Sequence, residues 1–207
     1  MFTGIVQDVG RVQALESRGG DVQMVIEFDR LDTSGIRVGD SICVQGCCLT
    51  ATELLGNAFA ADVSRETLNL TTLGDLRAGT PVNLEPSLKA GDALGGHLVS
   101  GHIDGVATVT SISGDARSQR IKIAVPADLA RYIARKGSVA VDGVSLTVNE
   151  VSGKDLLVEI FLIPETLSRT SLRNLKAGLL VNVECDQMVK IIVQKLSLLG
   201  GGHEQHP

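Results

Sequence analysis

The amino-acid sequence predicts a mainly β protein: two similar antiparallel barrels of about six strands each, produced by an internal duplication and followed by a C-terminal α-helix. Three observations lead there. The first is a repeat. TGIVQDVGRV (3–12) aligns with SGHIDGVATV (100–109), and GCCLTATE (46–53) with GVSLTVNE (143–150), both at an offset of 97. ETLNLTTL (66–73) meets ETLSRTSL (165–172), and LRAGTPVNLE (76–85) meets LKAGLLVNVE (175–184), at an offset of 99. Eighteen of these 36 aligned positions are identical, where average residue usage gives roughly two. The order is the same in both halves, so the chain is a duplicated domain with a tail of different character. The second observation is period-two alternation of apolar residues, and the third is a turn signal every eight to twelve residues (RVGDS, LLGN, RAGTP, SGKD), the pattern of short strands in a closed or nearly closed antiparallel barrel.

The elements follow in order. DVQMVIEF puts Val22, Met24, Ile26 and Phe28 on one strand face, and RIKIAV does the same with Ile121, Ile123 and Val125. GCCLTAT, read as a strand, places Cys48, Thr50 and Thr52 on one face and Cys47, Leu49 and Ala51 on the other. The first barrel spans 1–97, the second 98–186, and residues 187–207 form a helix and tail. PADLARYIARKG (126–137) predicts a helix, with Pro at the start, Leu129, Tyr132 and Ile133 at helical spacing, and Gly137 as a stop. DQMVKIIVQKLSLL (186–199) predicts the C-terminal helix: Asp186 is its N-cap, and Met188, Ile191, Ile192, Leu196 and Leu199 form an apolar stripe. That stripe is buried either on its own domain or in a subunit interface. GGGHEQHP closes the chain as a frayed tail.

Composition limits the function classes. A hydrophobic fraction of 43% with 21% charged residues belongs to a folded soluble chain rather than a disordered one. A net charge of −5 with only 2% aromatic residues supplies neither a phosphate-tracking surface nor base-stacking rings, so nucleic acid is not an expected partner. No apolar run reaches membrane-spanning length and MFTGIVQDVG lacks the sections of a secretory signal, which predicts no membrane partner and a cytoplasmic location. Cys43, Cys47, Cys48 and Cys185 do not form a secreted disulfide pattern and are expected to be reduced. Neither C-x2-C nor H-x3-H spacing is present, so no metal site is predicted among Cys43, Cys47, Cys48, His97 and His102. GDALGGHL (91–98) is glycine-rich but lacks the spacing of a phosphate cradle.

Candidate chemistry comes from the places where the two copies differ. Cys48 faces Ser145 across the repeat, and His102 stands where the first half has Ile5. Cys48 is either a small buried hydrophobe or a reactive thiol, and His102 either a satisfied polar residue or a proton shuttle. Glu66–Thr67 and Glu165–Thr166 recur as ETL, where the carboxylates either brace strand ends or take part in a site.

MFTGIV at the N-terminus, GCCLT (46–50), GGHLVSGHIDG (95–105), KGSVAVDGVSLTV (136–148) and IPETLSRTSL (163–172) together resemble the riboflavin synthase family of the alpha-subunit type, over residues 1 to about 195. The resemblance implies two six-stranded Greek-key barrels, a homotrimer held by the C-terminal helix, and no cofactor. It implies a transferase reaction: two molecules of 6,7-dimethyl-8-ribityllumazine exchange a four-carbon unit to give riboflavin and 5-amino-6-ribitylaminouracil, two substrates meeting in each active site.

Carried over position by position, it implies a first pocket from Cys48, Leu49, Thr50, Asp62, Val63, Ser64, Arg65, Glu66 and Thr67 with Gly101, His102 and Ile103. A second pocket would use Ser145, Leu146, Thr147, Ile163, Pro164, Glu165, Thr166 and Leu167 with Gly4, Ile5 and Val6, and with Lys136 and Asp186 nearby. Cys48, His102, Ser145, Asp142 and Ser41 are the candidate catalytic residues. In the family the two facing barrels belong to different chains. DLLVEIFL (155–162) carries an additional residue or two against the usual spacing, and Ala51 replaces a larger aliphatic residue. Two rivals follow from the same residues: a lumazine- or flavin-binding antenna protein without turnover, and a thiol-redox protein using Cys47 and Cys48.

Overall fold

The computed structural model describes residues 1–152 and 156–200. In the first half β1 (Asp8–Arg18), β2 (Asp21–Glu27), β3 (Ser41–Val44), β4 (Cys47–Leu54), β5 (Ala58–Val63) and β6 (Pro81–Pro86) close a barrel, with α1 (Arg65–Leu70) between β5 and β6. The strands run in the order β1-β2-β5-β4-β3-β6, and β6 returns to pair with β1. In the second half β7 (Gly105–Asp115), β8 (Ser118–Ala124), β9 (Ser138–Val141), β10 (Val144–Ser152), β11 (Leu157–Leu162) and β12 (Leu180–Cys185) repeat that topology, with α2 (Pro164–Arg169) in the place of α1. Both barrels are antiparallel throughout and closed, which leaves no strand edge open to another chain.

Alternation fills each barrel. Along β4 the side chains of Cys47, Leu49 and Ala51 are buried inward, while Cys48 and Thr50 face out; β10 does the same with Val144, Leu146 and Val148 against Ser145 and Thr147. Met24, Ile26, Phe59 and Leu84 close the first core, and Ile121, Ile123, Ile160 and Leu162 the second. Even the irregularities are duplicated: the pairing register slips at Gln13 and Thr52, and again at their counterparts Thr110 and Asn149. Such bulges add bend and twist, and a short strand ladder needs both in order to close on itself.

One expectation is corrected. The helix expected over 126–137 is a short 3-10 turn, Ala127–Tyr132, closed by i to i+3 bonds from Leu129 N–H to the Pro126 carbonyl (3.0 Å) and from Ile133 N–H to the Ala130 carbonyl (3.2 Å). Leu129 and Ile133 are buried in the second core and Tyr132 packs on it, so the short turn already delivers the three apolar side chains of the segment. Of the two alternatives for the C-terminal helix, α3 (Gln187–Gly200), burial of the stripe on its own domain does not hold: Met188, Ile191, Ile192 and Leu196 of the stripe, with Leu198 beside it, are 43 to 69% exposed. The helix is tied down instead by Lys190, whose Nζ donates to both carboxylate oxygens of Asp104 (3.0 and 2.9 Å). Among the described residues, no helix is long and apolar enough to cross a membrane.

The repeat offset is 97 through β10 and 99 from β11 onward, so the two additional residues fall between these strands, ahead of Leu157. Ile163 and Pro164 therefore keep the places that Ser64 and Arg65 hold at α1, the N-cap and the first helical residue. Gly153, Lys154 and Asp155 of the expected SGKD turn, the side chain of Leu199 in the expected stripe, and residues 201–207 of the expected tail lie outside the described residues.

The halves are joined by a pair of side-chain clasps. Asn83 donates to the Asp142 carbonyl (2.9 Å) and accepts the Ser171 N–H (2.7 Å). Its counterpart Asn182 donates to the Gln45 carbonyl (2.8 Å) and accepts the Thr72 N–H (2.8 Å). Each repeated VN-x-E motif thus reaches across to the other barrel, and its buried amide satisfies backbone groups that would otherwise be orphaned.

Candidate active site

The site is built by two chain segments that cross between the halves. Residues 2–6, which precede the first barrel, lie along β10 of the second, where the Gly4 carbonyl accepts the Ser145 N–H at 2.8 Å. Their repeat counterparts near 101 lie along β4 of the first barrel, where the Gly101 carbonyl accepts the Cys48 N–H at 2.8 Å. Gly4 and Gly101 sit at φ +75° and +83°, and a Cβ would come within 2.6 Å of the Ser145 Cβ and 2.5 Å of the Cys48 Cβ. Glycine is required at both points, by conformation and by the closeness of approach.

Buried glutamates hold the crossing segments. Glu85 accepts the Thr3 N–H and hydroxyl and the Gly4 N–H, at 2.7 to 2.9 Å. Glu184 accepts the Ser100 N–H and hydroxyl and the N–H groups of Gly101 and His102, at 2.6 to 3.2 Å. Burial pushes the Glu85 carboxyl up despite these donors.

Two matched cavities result. The first, about 200 Å³, is lined by Cys47, Cys48, Glu66, Thr67, Leu70, Thr71, Gly101, His102 and Ile103. The second, about 150 Å³, is lined by Val144, Ser145, Glu165, Thr166, Arg169, Thr170, Gly4, Ile5 and Val6. All nine residues of one are the repeat counterparts of the nine in the other, yet no residue lines both. Three larger hollows, of about 660, 520 and 410 Å³, are lined by none of Cys48, His102 and Ser145; Ile5 also borders the second of them, and Asp142 lines the third.

The sequence-selected residues divide as follows. Cys48, Glu66, Thr67, Gly101, His102 and Ile103 share the first cavity; Gly4, Ile5, Val6, Ser145, Glu165 and Thr166 share the second. Thr50 and Thr147 are exposed on the same outward strand faces, and Ser41, half-buried at the start of β3, pairs across the sheet with Thr50. Asp62 and Arg65 are exposed, and the Arg65 N–H is held by Asp21. Ser64 caps α1 by accepting the Thr67 N–H at 3.1 Å. Ile163 and Pro164 open α2. Leu49, Val63 and Leu146 point into the barrel cores, and Leu167 packs on the second core. Lys136 is exposed, at φ +67°. None of these last eight residues, from Ser64 to Lys136, lines either cavity.

Asp142 stands apart from the Ser145 cavity. It occupies the β9–β10 turn at the barrel junction, 2% exposed, with its Oδ1 accepting the Asn182 N–H at 2.8 Å. Burial pushes its carboxyl up from 3.8 to about 7, against the pull of the Asn182 N–H and the Gln45 side chain. Burial likewise pushes the Cys47 thiol up to about 12. Both cysteines line the first cavity, but Cys47 is buried and Cys48 half-buried on the opposite face of β4, and both are free thiols, which leaves the vicinal-thiol redox reading without a geometry.

Sequence reasoning missed the cavity residues Leu70, Thr71, Val144, Arg169 and Thr170, and it missed His97 beside Ser145. His97 is 8% exposed, and its Nδ1 lies 2.7 Å from Ser145 Oγ, while its Nε2 is buried with no hydrogen-bond partner among the described residues. Burial lowers its pKa and keeps the imidazole neutral, whereas the nearby carboxylates of Asp186 and Glu184 pull the other way. Asp186 itself caps α3 through the Met188 N–H at 2.8 Å. Position 97 lies outside the aligned repeat, so comparison of the halves does not flag it.

Comparison with known proteins agrees with this architecture. The lumazine binding domain model matches twice, at residues 3–87 and 100–186. The chain is 41% identical over 194 residues to the riboflavin synthase of Escherichia coli K12, covering 93% of this chain and 90% of that one. It is 40% identical over 196 residues to the riboflavin synthase of Photobacterium phosphoreum (95% and 89% covered) and 37% identical over 196 to that of Bacillus subtilis 168 (95% and 90%). Among solved structures it superposes on LumP complexed with riboflavin at a TM-score of 0.81 and 32% identity, covering 89% of this chain and 99% of that one. LumP complexed with 6,7-dimethyl-8-(1'-D-ribityl) lumazine gives 0.79 and 30% over the same shares. With both copies of the domain present and full-length relatives at this level of identity, the chain belongs to the lumazine binding domain family, on the riboflavin synthase branch.

Proposed function

We infer that the protein is a riboflavin synthase, a transferase that converts two molecules of 6,7-dimethyl-8-ribityllumazine into riboflavin and 5-amino-6-ribitylaminouracil. The observation that carries this is the pair of cavities, equivalent at nine positions and chemically different at the reactive ones. A dismutation needs two places for one kind of molecule and two different roles for them.

The mechanism follows from the lining. The 7-methyl group of the lumazine is acidic because its carbanion is delocalised into the ring. In the second cavity Ser145 Oγ takes that proton while its own passes to His97 Nδ1, 2.7 Å away. Burial keeps His97 neutral and ready to accept, and the fields of Asp186 and Glu184 favour the imidazolium once it forms. In the first cavity Cys48 and His102 face the other lumazine, where the thiol adds to the ring or relays a proton. Ser41, across the strand from Thr50, orients water or adds at the approach to that cavity. Holding the two reactants face to face supplies most of the acceleration, roughly 7 to 11 kcal/mol in well-aligned cases.

The cavities share no lining residue and each is smaller than the about 300–1,000 Å³ of a closed ligand pocket. Each is therefore half of an active site, completed by the opposite cavity of another copy of the chain. The exposed stripe of α3 (Met188, Ile191, Ile192, Leu196, Leu198) is the surface that joins the copies into a homotrimer. The protein works in the cytoplasm. The likeness to LumP supports a second reading, a chromophore-binding protein without turnover. Incubation with 6,7-dimethyl-8-ribityllumazine separates the two: riboflavin fluorescence with two lumazines bound per chain is expected, and one tightly held chromophore without product overturns the enzyme.

A further inference from the structure

Of the nine matched positions, one brings a cationic side chain into one cavity and an apolar one into the other. α1 carries Leu70 at the wall of the Cys48 cavity; α2 carries Arg169 at the same place in the Ser145 cavity. Both helices also present the repeated glutamate, Glu66 or Glu165, one turn earlier. Arg169 Nε donates to the Glu165 carboxylate, and its two Nη groups make no hydrogen bond to the described residues. Glu66 has no ion-pair partner among the described residues. The cavity walls therefore differ by one unit of positive charge at equivalent points: the Glu66 side is anionic, and the Glu165–Arg169 side is neutral with guanidinium N–H donors to spare.

We propose that the Ser145 cavity is the one that holds its lumazine as the anion, and that Arg169 sets this charge preference. The inference rests on the riboflavin synthase reading above. Dismutation needs one reactant deprotonated and one neutral, since two anions repel and leave no electrophile. At the Ser145 cavity the C–H bond of the 7-methyl breaks, its electron pair spreads into the ring, and the proton passes through Ser145 to His97, so no oxidant or further reactant is needed. The resulting planar, delocalised anion suits a guanidinium, which is planar, permanently charged and able to donate in a fork. A cation beside an acid favours its ionised form. In the Cys48 cavity the ionisable side chains are His102, Glu66 and the thiols, and Leu70 takes the place of the arginine; with no permanent cation at that wall and Glu66 unpaired, the lumazine bound there stays neutral and electrophilic. Two halves of one duplicated domain thereby acquire opposite roles through the side chain at one helical position, in addition to the change from Cys48 to Ser145.

The test separates proton removal from product formation. The full-length protein is incubated in D2O with 6,7-dimethyl-8-ribityllumazine, and deuterium entry at the 7-methyl, corrected for exchange without protein, is followed by NMR beside riboflavin fluorescence. Arg169→Leu, which copies the first half, is expected to slow protein-dependent exchange about five- to tenfold and to move its pH profile upward, as removal of a partly solvated charge predicts. Arg169→Gln shares the loss and Arg169→Lys restores most of it; the upward move of the pH profile in the uncharged variants is the readout that a merely structural helix contact does not produce. Equal exchange rates and superimposable pH profiles for wild type, Arg169→Leu and Arg169→Gln overturn the assignment. If instead the wild-type protein forms no riboflavin at all, it is the underlying enzyme reading that fails.

Discussion

Replacing Asp142 by asparagine should make the protein more stable at neutral and alkaline pH. The carboxyl lies at the barrel junction, where burial raises it from 3.8 to about 7. Because the folded-state value is above the unfolded one, the fold holds a proton that the unfolded chain releases. Stability from this group is untouched below about pH 4, falls as pH rises from there to about 7, and stays reduced above. The free-energy equivalent of that rise is about 4 kcal/mol, the full cost of an ionised Asp142 at pH 8. Asparagine carries no such cost. Its side-chain oxygen can still accept the Asn182 N–H, bonded at 2.8 Å in the wild-type protein. The repeat shows that an amide suits this turn: the counterpart of Asp142 is Gln45, and the two share a left-handed backbone, φ +48° and +50°, which asparagine adopts readily. The new amide N–H groups need acceptors, so about 4 kcal/mol is the ceiling and about 2 kcal/mol the least expected. Chemical denaturation from pH 4 to pH 9, at matched protomer concentration, checks it. The two curves should coincide near pH 4 and diverge by pH 8, where the thermal midpoint rises about 2 to 4 °C per kcal/mol. Parallel curves, or a less stable variant at pH 8, refute the buried-acid account. Turnover should survive the change, because Asp142 does not line the Ser145 cavity; its loss would return Asp142 to the catalytic machinery.

Other outcomes follow from the same geometry. Cys48→Ala and His102→Ala should each slow turnover without abolishing it, by up to about a hundredfold, since alignment supplies most of the acceleration; unchanged steady-state rates for both would remove their roles. His97→Gln should lower kcat about a hundredfold or more and remove the acidic limb of the pH–rate profile, because the depressed imidazole pKa makes the neutral base available down to lower pH than an ordinary histidine. Asn182→Ala removes two buried side-chain bonds across the halves, to the Gln45 carbonyl and from the Thr72 N–H, and should cost about 2 to 4 kcal/mol in denaturant titrations. Ile191→Lys with Leu196→Lys places charge on the exposed stripe of α3; sedimentation should show monomers, and riboflavin formation should fall with assembly while each barrel stays folded by circular dichroism.

The repeat, the alternation and the turn spacing are enough to predict two barrels, because these patterns record a local rule: which face of each strand is buried. The two bulges per barrel are not legible in them, since a bulge shows only in the pairing of strands distant in sequence. The C-terminal helix is legible from its stripe, but the direction of the stripe is not, and an exposed face stands in place of burial on its own domain. The 126–137 segment misleads because three closely spaced apolar residues serve a 3-10 turn as well as an α-helix: Leu129, Ile133 and Tyr132 all meet the second core from the turn Ala127–Tyr132.

The site divides in the same way. Cys48, His102 and Ser145 stand out in the sequence because one copy of the duplication serves as a control for the other, and Leu70 against Arg169 is equally visible in that comparison. Which residues share a cavity was decided only by tertiary structure. The Gly4 and Gly101 segments cross to opposite barrels, and that crossing brings His97 to Ser145. Burial moved Asp142 from candidate base to junction carboxyl. Sequence by itself determined the fold's repeat, its strand faces and the asymmetric pairs, because those depend on side-chain type and periodicity. Contacts between segments far apart in the chain, and the desolvation that sets the state of His97 and Asp142, depend on how the two halves dock, and only the folded chain could decide them.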